Sequence, residues 1–210
     1  MFRNLFNPES ALMITMNQVT DCIFLSLFWI VGCFPVVTIG ASFAALYDSA
    51  YRGLRKYDKH SWQRFLHVFR QNWKAGIVPT IVFLAVLTGL VKGVVALWNA
   101  AVYGSISWMV FSGGAFLAVV AVGIVSVMFP MLSRFENPLP VLLKNTVFLA
   151  LANLLRTIGL GLINTLCGVL CVRYVVPVVF LPALAALIGS LFIEPMFKPY
   201  LPDPSEDAAD

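Results

Sequence analysis

Long apolar runs separated by short polar punctuation dominate this chain. No ionisable residue other than cysteine or tyrosine lies between Asp21 and Asp48, Lys74 and Lys92, Lys92 and Arg134, Arg156 and Arg173, or Arg173 and Glu194. Crossing a bilayer takes about 20 mostly apolar residues in a helix, and backbone groups in lipid must be satisfied within a helix or a closed barrel. The runs lack the alternation of barrel strands. They predict an all-α polytopic transmembrane helix bundle with about six membrane segments, near residues 17–34, 36–53, 75–97, 105–132, 156–173 and 175–194. The second is the weakest, because it is short and carries Asp48. If it does not cross fully, five crossings replace six. Residues 1–198 then form a single membrane domain, followed by an acidic, proline-containing tail at 199–210.

Two further stretches predict helices lying at the membrane surface, near 61–73 and 139–153. In the first, Trp62, Phe65, Leu66, Phe69 and Trp73 fall on one helical face, with Ser61 as a cap. Gln63, Arg64, His67, Arg70 and Lys74 fall on the other. Aromatics below and bases above suit a lipid interface, packing against the bundle or a docking face for a partner. Charge reversal at Arg64, Arg70 and Lys74 is expected to weaken such docking and leave the bundle folded. The second stretch opens on Asn137 and Pro138. "NWKAGI" and "NLLRTIG" each place an asparagine, Asn72 or Asn153, shortly before a base, Lys74 or Arg156, at the mouth of a membrane helix. This is a weak internal repeat.

Composition agrees with the pattern. The 210 residues are 60% hydrophobic and 11% charged, with a mean hydropathy of +0.88. A soluble domain carries about 25% charge, so most of this surface faces lipid. The bases are one-sided. Arg52, Arg55, Lys56, Lys59, Arg64, Arg70 and Lys74 cluster in one loop, and six crossings put Arg3, Arg134, Lys144, Arg156 and Lys198 on the same side. Only Lys92 and Arg173 fall opposite. Basic loops stay cytoplasmic, which places both termini in the cytoplasm. The first apolar run is too long, and too poor in preceding bases, for a cleaved signal peptide; it is expected to be retained.

Candidate chemistry is sparse. Asp21 lies about one turn inside the first segment and Asp48 at similar depth on the second, and acids within membrane segments are functional candidates. The structural alternative pairs them with bases such as Arg52 or Arg156. Cys22, Cys33, Cys167 and Cys171 lie in apolar runs and read as buried thiols; Cys167 and Cys171 share a helix face without further metal ligands, and His60 and His67 show no metal spacing. No catalytic template is present, so no enzyme, cofactor or metal is expected. Lipid explains the bases better than nucleic acid does.

"CFPVVTIGAS", residues 33–42, is the densest local signal. Pro35 ends a helix, Thr38 can cap the next one, and Gly40 and Ala41 allow the two to pack closely. A tight hairpin fits better than a transporter's broken helix, because no second matching break occurs.

"MFRNLFNPES", "CFPVVTIGASFAALYDSAYRGLRK", "FRQNWKAGIV" and "RFENPLPVLLKNTVFLALANLLRTI" resemble, in order, the YesL-like family of bacterial integral membrane proteins. The shared positions are Asp21, Pro35, Thr38, Gly40, Tyr47, Asn72, Asn153, Arg156 and Thr157; "VTDCIF" departs from the family's usual Leu-Ala-Asp. The resemblance implies an accessory role beside importers and enzymes for glycans. The expectation is therefore a non-enzymatic accessory protein in the bacterial inner membrane. Its partners would be the bilayer, permease subunits of a sugar ABC importer and a second copy of the chain. The alternative is a small transporter or channel with Asp21 and Asp48 in a polar pathway; a regulator of the glycan response is not separable from the first reading. Candidate site residues are Asp21, Asp48, Asn72, Lys74, Asn153 and Arg156, with a lipid or partner face at Trp62, Arg64, Phe65, Phe69, Arg70 and Trp73.

Overall fold

Every regular element among the described residues is helical. The computed structural model describes residues 11–55, 61–135 and 138–200. Arg3, Lys56, Lys59, His60, Asn137 and the acidic tail from residue 201 lie outside the described residues. Eight α helices follow one another: α1 (Ala11–Cys33), α2 (Ile39–Ser49), α3 (Ser61–Asn72), α4 (Ile77–Val102), α5 (Trp108–Arg134), α6 (Leu139–Ala152), α7 (Leu154–Arg173) and α8 (Leu181–Phe197). α4, α5, α7 and α8 with its short extension to Tyr200 are long and apolar enough to span a bilayer. The chain is a membrane helix bundle.

α4 and α5 form an antiparallel hairpin. Its tight end is closed by Gly104, whose φ of 73° suits a residue without Cβ. Ser105 N–H donates back to Ala100 O at 2.8 Å, and Ser107 caps α5 by accepting from Met109 N–H. Trp98 packs edge-on to Trp108 and Phe111 at that end, while Phe83 meets Phe129 towards the open end.

The segment expected to cross at 36–53 takes another form. It is a 3-10 turn (Val36–Thr38), the 11-residue α2, and a π-helical turn (Ala50–Arg55). Eleven residues rise about 16 Å, roughly half a hydrocarbon core. Gly40 N–H, in the first turn of α2, donates to Thr80 Oγ1 in the first turn of α4 at 2.8 Å, whereas Asp48, in the last turn, meets Arg134 at the end of α5. Both partners sit at the open end of the α4–α5 hairpin, so α2 bridges that end. It is buried on nearly every side, including Ala41, Ala44, Ala45 and Leu46. Small side chains make this possible, since α1, α3, α4, α5 and α8 all pack around it.

The turn at "CFPVVTIGAS" forms, but the Thr38 side chain does not cap α2 and bonds back towards α1 instead. Thr38 Oγ1 donates to Gly32 O and Pro35 O, both at 2.7 Å, and Ser42 Oγ donates to Thr38 O at 3.0 Å. The close approach made by Gly40 and Ala41 is to α4, however, rather than to α1. A Cβ on Gly40 would stand 2.6 Å from Gly76 O, and one on Gly76 would stand 2.7 Å from Ala41 N.

α3 runs back along α2 and α1 and does not lie free on a surface. Phe65 is 2% exposed and packs with Leu25, Ala45, Leu46 and Ala50; Phe28 and Phe69 flank it. Only Trp62 and Trp73, at the rims, stay half exposed. The helix's aromatic face is thus spent largely on the bundle.

The asparagine repeat has a structural counterpart. Asn72 Nδ2 donates to Val68 O and Asn153 Nδ2 to Leu149 O, each four residues back. The two backbone carbonyls accept from Gly76 N–H and Thr157 N–H, each four residues on. A glycine of an earlier helix then seats on that residue's carbonyl, Gly40 of α2 on Gly76 O and Gly123 of α5 on Thr157 O. α2–α3–α4 and α5–α6–α7 are built to one plan.

Candidate functional site

The converging ends of α2, α5 and α8 bring together the most concentrated chemistry among the described residues. Asp48 is 2% exposed. Its Oδ1 accepts from Arg52 Nε at 3.1 Å, and its Oδ2 accepts from Arg64 Nε at 2.7 Å. Arg134 Nε stands 3.8 Å from Asp48 Oδ1, and Arg134 Nη2 donates to Glu194 Oε1 at 2.7 Å. Tyr47 O–H donates to the same Glu194 oxygen at 2.8 Å. The guanidinium of Arg134 lies 4.7 Å from the centre of the Tyr51 ring, which stacks on Tyr47.

Local sequence explains each placement. Asp48 and Arg52 are four apart, the spacing that lets helical side chains meet. The π turn carries Tyr51 and Arg52; such turns are rare and concentrate at functional sites. Arg64 sits in the first turn of α3, beside the end of α2. Arg134 is the last residue of α5, and Glu194 precedes the Pro195 that interrupts α8.

Two carboxylates and three guanidiniums give the cluster a net positive charge. Its members differ in depth: side-chain exposure is 41% for Arg52, 29% for Arg64 and 10% for Arg134, against 3% for Asp48. A buried carboxylate is tolerated only when paired and hydrogen-bonded, so Asp48 holds three elements together. Chemically, the arrangement is a clasp whose acids are already engaged.

The other candidate residues fall elsewhere. Asp21 pairs with neither Arg52 nor Arg156; Ser61 Oγ donates to it at 3.3 Å. Arg156 is exposed and donates to Asn153 Oδ1 and Pro195 O. Among the described residues Asp21 and Asp48 share no hydrogen-bond partner. Arg64, assigned by periodicity to a free basic face, belongs instead to the cluster, because the buried Asp48 draws it inward. Arg70 and Lys74 do stay exposed, with Lys74 Nζ 5.3 Å from the Trp73 ring. Asn72 and Asn153 are half-buried caps. All four cysteines are free and half-buried, rather than fully buried.

Arg134 and Glu194 are the members that sequence reasoning missed. The available signal was Glu194 itself, an acid closing an apolar run on the same side as Asp48.

Residues 22–93 match the family model described as Protein of unknown function, DUF624. The DUF624-like segment covers about a third of the chain, from α1 into α4. It contains Asp48, Arg52 and Arg64, whereas Arg134 and Glu194 lie beyond it. No curated protein and no solved structure matches the chain.

Proposed function

We propose that this chain is a non-enzymatic accessory protein of the bacterial cytoplasmic membrane that docks sideways on another membrane assembly. Its YesL-like resemblance, in keeping with the DUF624 match, favours the permease subunits of a carbohydrate importer as that assembly. The orientation that suits the bases puts the ion-pair clasp and both termini on the cytoplasmic side.

The observation that carries the reading is α4. Only 6% of its most apolar stretch is buried inside the bundle, against 17% in α7, 39% in α5 and 44% in α8. Ile81, Val91, Val95 and Trp98 point outward. Gly89 and Gly93, four apart, form a notch in which an added Cβ would meet no atom within 4 Å. Membrane helices associate through such notches because small residues let backbones approach. The closed clasp supports the same reading, since Asp48 is already capped by bases and is not open to a solute.

The test places a photo-crosslinking residue at the exposed Ala96, on the Gly89/Gly93 face of α4, and, as a control, at Val172 on α7, in native membranes. Crosslinks from position 96 to permease subunits, with none from 172, are expected. Crosslinks only to a second copy would replace the accessory reading with self-association. No crosslink at all, together with solute flux in liposomes holding the purified protein, would replace it with transport.

A further inference from the structure

Asp21 is an acid that the clasp does not use. It lines an open groove of about 260 Å³ with Phe24, Leu25, Phe28, Ser61 and Trp62, between α1 and α3. Ser61 Oγ is its hydrogen-bond donor at 3.3 Å, and among the described residues no guanidinium or ammonium pairs with it. Two of the walls are open to the surroundings, Phe24 at 53% and Trp62 at 48% exposure. The third ring, Phe28, is held against the buried Phe65 with centroids 5.9 Å apart. A carboxylate among aromatic faces attracts cations twice over, through its charge and through the ring quadrupoles. A compact organic ammonium suits this chemistry.

The face of α1 that lines the groove continues beyond it. Asp21, Phe24, Phe28 and Val31 share one helical face, and Val31 is 70% exposed. From Asp21 to Val31 the helix rises about 15 Å, a length comparable to an acyl chain filling one leaflet of a hydrocarbon core about 30 Å thick. A ligand with an ammonium at one end and a hydrocarbon chain at the other matches both parts. We propose that this groove holds an aminophospholipid of the phosphatidylethanolamine type, its ammonium on Asp21 between Phe24 and Trp62, and an acyl chain along Phe28 and Val31. A partner's lysine would offer the same ammonium without the chain.

Native mass spectrometry of the full-length protein in detergent tests this. Phosphatidylethanolamine and phosphatidylglycerol of identical chains are titrated separately, alongside water-soluble glycerophosphoethanolamine. The wild type is expected to bind phosphatidylethanolamine about tenfold more tightly than phosphatidylglycerol, and to bind the chain-free headgroup far more weakly. Asp21→Asn should remove most of that preference without weakening phosphatidylglycerol, and Trp62→Ala should reduce it severalfold. Unchanged melting temperatures for both variants show that the bundle is intact. Should Asp21→Asn misfold, Trp62→Ala, on a half-exposed side chain, still reads the site. Equal affinity for the two lipids, or a preference that survives in both variants, overturns the proposal. Equal binding of the chain-free headgroup overturns its lipid half and leaves an ammonium site open to a lysine.

Discussion

Arg52, Arg64 and Arg134 reach one carboxylate from three depths, and depth decides what each contributes. An ion pair near the surface gives about 0–1 kcal/mol, whereas stranding a buried charge costs about 3–5 kcal/mol. Arg134→Gln is therefore the most damaging of the three truncations, because it takes a guanidinium only 10% exposed from its hydrogen bond to Glu194 and removes a positive charge 3.8 Å from the buried Asp48. Arg52→Gln, at 41% exposure, should cost about 1 kcal/mol or less. Thermal melts in one detergent should rank the variants Arg134 worst, Arg64 next and Arg52 mildest. An Arg52 variant as unstable as the Arg134 variant would sink the account. Arg134→Lys should rescue only part of the loss, since an ammonium cannot both engage Glu194 and stand over the Tyr51 ring as the guanidinium does.

Between elements, glycines set the approach. Gly40 and Gly123 seat on carbonyls of α4 and α7, so an added methyl must push backbone aside, and forced overpacking costs about 1–3 kcal/mol. Gly89 faces open space. Gly40→Ala and Gly123→Ala should both lower the melting temperature, while Gly89→Ala leaves it nearly unchanged; a destabilised Gly89→Ala would show that α4 packs elsewhere. The asparagine repeat was legible in the sequence because Asn72 and Asn153 stand before helices that begin alike. What those helices touch was not. The glycine partners lie 36 residues apart in Gly40–Gly76 and 34 in Gly123–Thr157, and nothing local records such pairs. α3 shows the same limit. Its periodicity was correct, with Phe65 and Phe69 on one face, but an amphipathic period does not say whether the apolar face meets lipid or protein. Arg64 was misread for a related reason: its partner, Asp48, is 16 residues away in another helix. The expected charge-reversal experiment therefore divides. Arg70→Glu with Lys74→Glu should leave the fold intact, because both side chains are exposed. Arg64→Glu should unfold the bundle by setting a second carboxylate against the buried Asp48. Proteolysis in detergent distinguishes the two.

At the scale of the molecule, the class was readable from the apolar runs and the path of the chain was not. An apolar run of a given length fits a straight crossing or a short buried helix flanked by turns, and 36–53 proved to be the latter. This bears on topology. α2 joins only the open end of the α4–α5 hairpin, so the turn at Phe34 need not face the same side as Tyr103, which caps the hairpin's closed end. Single cysteines at Phe34, Tyr103 and Lys198, in a chain whose four native cysteines are replaced, separate the possibilities. A membrane-impermeant maleimide added outside intact cells should label position 103, at 83% exposure, and spare 198 until the membrane is opened. Labelling at 34 then decides the count. Modification from outside would overturn the bridging of the hairpin's open end by α2 and restore two further crossings, six in all. Modification only after opening means that α1, α2 and α3 form a layer on the cytoplasmic side of four spanning helices. In that second case the clasp would fasten the layer to the hairpin's cytoplasmic end. Arg134→Gln should then expose Phe34→Cys faster than wild type, while position 103 labels at the same rate.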